Sequence, residues 1–163
     1  MSELVTILIG LPCSGKSTYL QTIDYDFVIS SDAVVEIICR QHKLAYHDYF
    51  KLSPNSKLKR QHKTIFAKLV QRSKDFDHVV WDLTNLTKKS RSKIFKLYQD
   101  TEFNAVVFDS EGKEELLIER NKRRFKKSGK FIDELVLRDM IFKYERVVVK
   151  EPFKNIRTII MLP

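Results

Sequence analysis

Residues 5–17 read Val-Thr-Ile-Leu-Ile-Gly-Leu-Pro-Cys-Ser-Gly-Lys-Ser, and no other stretch constrains the fold as much. Val5-Thr6-Ile7-Leu8-Ile9 is a short, β-branched, largely apolar run, which predicts a strand buried in a parallel sheet. Gly10 to Ser17 then matches the phosphate-loop pattern G-x-x-x-x-G-K-[ST]. Gly10 and Gly15 let the backbone turn so that its N–H groups point at one phosphate chain. A helix opening at Lys16 adds its positive end. Lys16 is placed to reach the β- and γ-phosphates of a nucleotide, Ser17 to ligate Mg²⁺, and Thr18 to touch the α-phosphate. Cys13 and Ser14 complete the nucleotide loop. The only other cysteine is Cys39, so neither a disulfide framework nor a zinc cluster is expected, and a reducing, cytoplasmic interior is.

The rest of the chain alternates in the same style. Strands are expected at 27–29, 78–81, 105–108 and 156–162. Helices are expected at 16–21, 33–41, from Ser56 through Val70, 87–98, 111–125 and 133–149. Alternation of this kind predicts an α/β fold with a parallel sheet of about five strands and helices on both faces. The 163 residues suit one domain, with no internal repeat. No apolar run reaches the roughly 20 residues of a membrane span. Glu3 leads straight into the first strand, without the basic start of a secretory signal.

Charge becomes informative through its distribution. The 30 Lys and Arg exceed the 21 Asp and Glu by nine. Residues 1–50 hold three basic and six acidic groups, a net of −3, which leaves +12 for the remainder. Three runs have no acid: Lys51–Lys74 with eight basic residues, Leu83–Gln99 with five, and Arg120–Lys130 with seven. Each is read either as a solvated helix face or as a contact to a polyanion.

A phosphate loop alone does not separate a kinase from a GTPase or a motor. No N-K-x-D base-reading motif is present, and the third strand ends in one carboxylate, Asp82, rather than a Walker B pair. Asp32 follows the second strand, and ligands of open α/β sheets bind beyond the carboxyl ends of strands. Asp32 is therefore either a helix N-cap or a general base for an attacking hydroxyl. Asp82 is either a second carboxylate at the acceptor or a brace near Mg²⁺.

The segments Gly10–Thr18, Ser31-Asp32, Asp82-Leu83-Thr84-Asn85-Leu86 and Arg120-Asn121 resemble, in order and spacing, the polynucleotide 5′-kinase family of bacteriophages and animal DNA end-healing enzymes. The resemblance runs from the phosphate loop to Val136–Met140. It implies a P-loop kinase fold over 1–163 with a basic lid at about 120–131. It further implies that Asp32 is the base for a 5′-hydroxyl, that Asp82, Thr84 and Asn85 position the acceptor end, and that Arg120 and Arg124 are lid arginines. In that picture Arg124 closes on the transferring phosphoryl group, where a guanidinium's fixed charge and rigid donor fork suit the chemistry.

Two departures stand out. The phage enzymes carry an arginine one helical turn after the base, and here that position is Val35. No D-x-D-x-T phosphatase motif is present, so the kinase half alone is expected. The leading expectation is an ATP-dependent polynucleotide 5′-hydroxyl kinase acting on DNA or RNA ends. The alternatives are a P-loop kinase for a nucleoside, small molecule or hydroxymethylated base in DNA, and a nucleic-acid-binding protein with an ATP switch. None of these motifs bears on oligomeric state.

Overall fold

The computed structural model describes residues 2–162. Along the chain run β1 (Leu4–Ile9), α1 (Lys16–Leu20), β2 (Phe27–Ile29), α2 (Ser31–His42), α3 (Tyr46–Tyr49) and α4 (Lys57–Ser73). They are followed by β3 (His78–Trp81), α5 (Lys88–Leu97), β4 (Glu102–Asp109), α6 (Glu114–Ser128), α7 (Glu134–Lys143) and β5 (Asn155–Ile160). The strands form one sheet in the order β2-β3-β1-β4-β5, with every neighbouring pair parallel. This is the expected α/β architecture, a P-loop kinase fold.

Alternation along β1 builds two cores, because successive side chains leave opposite faces of a strand. Val5, Ile7 and Ile9 join Val79, Trp81, Ala105 and Val107 under Phe66 and Val70 of α4 and Ile94 of α5. Leu8 joins Val80, Val106 and Phe108 under Tyr19 and Leu20 of α1. Helices cover both faces, as expected, but the short α1 covers its face with little help. After β1 the chain runs to the far edge at β2, returns at β3 and crosses to β4. The carboxyl ends of β1 and β3 therefore lie side by side where the winding reverses, which is where such sheets bind ligands.

Three elements differ from expectation. The last helix ends at Lys143 rather than Val149, and Tyr144 turns extended with ψ of 127°. Beyond it Glu145 N–H donates to the Leu86 carbonyl at 2.8 Å. The short α3 lies in a stretch without an expected element. The helix expected at 111–125 is shifted to Glu114–Ser128, so the basic run is mostly helical.

The early end of α7 has an electrostatic cause. Arg91, from the second basic run, is fully buried. Its Nε donates to Glu151 Oε1 at 2.6 Å and its Nη2 to Oε2 at 3.2 Å. Its Nη1 donates to the carbonyls of Asn85 and Leu86 at 3.0 and 3.2 Å, and Nη2 also approaches that of Arg146 at 3.4 Å. Glu151 Oε2 in turn accepts from Val148 N–H at 2.9 Å. A continued helix would carry Arg146 to Glu151 away from this fork. One of the five charges read as solvent-facing or polyanion-facing is thus a structural pin. Removing one partner of a buried pair strands the other, so Arg91→Ala should lower unfolding free energy by about 3–5 kcal/mol. Urea denaturation of wild type and variant checks this.

Candidate active site

The phosphate loop owes its shape to two glycines with different jobs. A Cβ at Gly10 would sit 2.7 Å from Ser14 Oγ and 2.8 Å from Phe108 Cβ, so only hydrogen fits. Gly15 has φ of 106°, a left-handed conformation that side chains resist. Cys13 also takes a positive φ, 66°. Lys16 Nζ donates to the carbonyls of Gly10 and Leu11 at 2.8 and 2.9 Å, which holds the ammonium against the loop. Burial lowers its pKa to about 8, against the opposing pull of Asp82. Because α1 has only five residues, its dipole is weak, and loop N–H groups and cationic side chains supply most of the anion attraction. Burial raises the Cys13 thiol despite Arg124, Lys16 and Arg120, which is the opposite of an activated nucleophile.

One cleft of about 1050 Å³ collects most of the expected site. Its lining includes Cys13, Gly15, Lys16, Ser17 and Thr18 of the loop, Asp32, Asp82 and Thr84 from beyond β2 and β3, and Arg120 and Arg124 of α6. Gly10, Ser14 and Asn85 lie behind its surface. Asp32 is not the helix cap, because Ser30 Oγ accepts the Ala33 N–H at 3.2 Å and caps α2. That frees the Asp32 carboxylate for the cleft, where Oδ1 accepts from Tyr46 OH and Oδ2 from Lys130 Nζ at 2.9 Å. A carboxylate offers about four acceptor sites, so each oxygen keeps one. Lys130 also pairs with Glu36. Burial works against its charge, but Glu36 and Asp32 outweigh it and raise the ammonium overall. Burial raises Asp82, Lys16 lowers it, and the nearby Asp32 charge adds to the rise. Two carboxylates and a buried lysine therefore sense one another across this space.

The arginines divide their labour. Arg120 Nη1 donates to the Cys13 carbonyl at 3.2 Å and Nη2 to that of Leu162, which braces the loop. Arg124 differs: its Nε and Nη2 are buried and have no acceptor among the described residues. A half-buried arginine in the cleft lining with two buried, unpartnered nitrogens is the donor set of an anion, and the cleft thus fits a polyphosphate. For Mg²⁺ the available oxygens are Ser17 and Asp82, which suits an ion that keeps most of its shell as water and phosphate. The segment after α6 is pinned: Asn121 Nδ2 donates to the Ile132 carbonyl at 2.7 Å and Oδ1 accepts Ile132 N–H at 3.2 Å. Asn121 thus folds residues 129–132 back onto α6.

Asn85 was expected to position an acceptor, but it is buried at φ of 48° and does not reach the cleft. Its Nδ2 donates to the carbonyls of Leu8 at 2.7 Å, Leu83 at 3.3 Å and Trp81 at 3.4 Å. Val35 is 3 % exposed and belongs to the core between α2 and α4 while touching the cleft wall. Of the basic residues of the first run only Lys51 lines the cleft, and of those of the second none does. Residues that sequence reading missed are Tyr46, His47, Phe50 and Phe131, all in the lining. The visible signal was Tyr46-His47-Asp48-Tyr49-Phe50, an aromatic cluster outside any periodic element.

Asn85→Ala should cost about 1–3 kcal/mol of stability by orphaning buried carbonyls, read by chemical denaturation. Had Asn85 met the acceptor instead, the loss would appear in acceptor KM at unchanged stability.

A family model described as an AAA domain matches residues 5–147. A comparison with curated proteins finds no significant sequence match. Among solved structures, the Pnkp1/Rnl/Hen1 RNA repair complex contains a chain 20 % identical at a TM-score of 0.65, over 87 % of this chain and 44 % of that one. A fungal RNA kinase is 17 % identical at 0.60, over 100 % of this chain and 76 % of that one. A gluconokinase from Sinorhizobium meliloti 1021 is 18 % identical at 0.56, over 99 % and 83 %. Identities this low speak for the fold alone. The family match covers most of the chain and includes the phosphate loop, so the chain belongs to this AAA-domain family and is a P-loop, kinase-like domain.

Proposed function

We propose that this chain is an ATP-dependent polynucleotide 5′-hydroxyl kinase. The observation that carries the reading is the presence, in one cleft, of a carboxylate freed from capping and a half-buried arginine with two unpartnered nitrogens: Asp32 and Arg124. ATP with Mg²⁺ supplies the γ-phosphoryl group and an ADP leaving group. Lys16 and the loop N–H groups hold the phosphate chain, and Ser17 and Asp82 are the oxygens for the metal. Asp32 orients the acceptor hydroxyl and takes its proton at a carboxylate oxygen as the oxygen–phosphorus bond forms. Arg124 places its two inward N–H groups on the charge spread over the moving phosphoryl oxygens.

Tyr46 and Lys130 act on the base rather than the substrate. The hydroxyl and ammonium fix the carboxylate plane by one bond at each oxygen. The likeness in fold to an RNA kinase and an RNA repair protein agrees with a nucleic acid end as acceptor, and so does the basic excess of the lining. The second reading, a kinase for a smaller hydroxyl compound, is favoured by Val35, which puts an apolar wall where the phage enzymes have an arginine. The absence of a spanning helix among the described residues leaves both readings untouched.

Transfer of labelled γ-phosphate to 5′-hydroxyl DNA and RNA oligonucleotides, nucleosides and gluconate tests the choice. Labelling of oligonucleotide 5′ ends, blocked by a pre-existing 5′-phosphate, is expected. Labelling of a small acceptor with none on any oligonucleotide would overturn the polynucleotide reading. Asp32→Asn should lower kcat about 10²–10⁴-fold while ATP affinity is kept. Arg124→Ala should cost about 10²–10³-fold in kcat.

A further inference from the structure

Phe50 is large, apolar and 47 % exposed, yet it is not loose. Its ring meets Tyr46 edge-to-face at 5.1 Å and 69°, and Tyr49 at 5.4 Å and 87°. Fixed by these two rings, with Lys59 Nζ 5.7 Å from its centroid, and still half open, it presents ring surface to the cleft it lines. Tyr46, the nearer neighbour, donates its hydroxyl to Asp32. The open ring is therefore one side chain away from the carboxylate that receives the acceptor hydroxyl. A group attached to that hydroxyl must lie near Phe50.

The charge around this ring is equally specific. The cleft lining holds six Lys and Arg against three Asp. Lys16, Arg120 and Arg124 belong to the nucleotide end. Lys51, Arg123 and Lys127 complete the set. Lys51 is within 3.5 Å of Asp48, and Arg123 pairs with Glu119. Lys127 has no carboxylate within reach among the described residues. On the lid side Phe131 also lines the cleft, packed at 5.5 Å on Phe125, with His47 at 6.5 Å from both.

An open aromatic face and an unneutralised cation, Lys127, in one cleft lining are the combination that grips an unpaired strand, since every base has a π face and every link a phosphate. A polyol such as gluconate offers no ring to stack, and a free nucleoside offers no phosphate to the lysine. A base held in a duplex already stacks and pairs elsewhere. We propose that Phe50 is the stacking platform for the first, unpaired base of a single-stranded acceptor, with Lys127 on a following phosphate. This rests on the polynucleotide reading and adds to it the element that selects the acceptor.

The test is a cycle between protein and substrate. Wild type and Phe50→Ala are each given a 5′-hydroxyl oligonucleotide and the same strand with an abasic first nucleotide. In wild type the abasic strand should raise acceptor KM roughly 5- to 150-fold. Phe50→Ala should raise KM by a similar factor on the intact strand and respond little to base removal, and Phe50→Trp should restore the base dependence. A base penalty that persists undiminished in Phe50→Ala, or an intact-strand KM within about twofold of wild type, would overturn the platform while leaving the kinase reading intact. Thermal melting and ATP-analogue binding confirm that the variants are folded. The same cycle is run by fluorescence anisotropy of labelled strands without transfer. Binding that obeys the cycle in the absence of any transfer would uphold the platform and remove the kinase. No oligonucleotide binding and no transfer would remove both. Lys127→Gln should flatten the salt dependence of binding, its log–log slope dropping by about one; an unchanged slope removes Lys127 from the phosphate contact.

Discussion

The catalytic geometry depends on keeping the carboxyl ends of β1 and β3 together beyond their last sheet hydrogen bond. The buried Asn85 amide spans from Leu8 to Trp81 and Leu83, and Gly10 N–H donates to the Thr84 carbonyl at 3.0 Å. Asn85 can do this because asparagine tolerates the left-handed backbone that the sharp turn after β3 requires. Arg91 then takes the Asn85 carbonyl and ties the same turn to Glu151. The phosphate loop and Asp82 therefore ride on one frame. A shift of either strand end would separate the nucleotide end of the cleft from its carboxylates.

On that frame the charges are arranged under tension. Burial lowers Lys16 and raises Asp82, so each alone is disfavoured in its charged form and each favours the other. Arg124 adds a guanidinium without an acceptor among the described residues. An incoming polyphosphate relieves this excess of buried positive charge. The Asp32 side is organised differently: Asp32 already has donors at both oxygens, and Tyr46 and Phe50 line the cleft with it. The two parts of one cleft thus differ in character, cations at the loop and a clamped carboxylate among aromatic rings on the other side.

The basic excess of the chain is not one feature. Arg91 is a buried pin, Arg120 a loop brace, Arg124 a free donor and Lys130 a clamp on Asp32. Lys51 and Lys127 line the cleft, while the lysines of α4 and α5 stay outside the lining. Reading each acid-free run as a single surface overestimates what the run does, because one helix turns its residues in different directions every turn.

Much of this was legible without coordinates. The run from Val5 to Ser17 sets a buried strand, a phosphate loop and a helix, because local sterics and backbone chemistry admit little else there. Alternating apolar segments then require a parallel α/β sheet, and Asp32 and Asp82 fall at strand ends where ligands bind. Tertiary structure alone decided the rest. It made Asn85 a brace instead of an acceptor contact, and ended α7 at Lys143 to close the Arg91–Glu151 pair. It also gave the capping of α2 to Ser30, leaving Asp32 to the cleft, and brought Tyr46 and Phe50 beside it from a segment with no periodicity. These outcomes turn on which partner a polar or aromatic side chain finds at long range. Periodicity in the chain records that a residue is buried or exposed, not whom it meets.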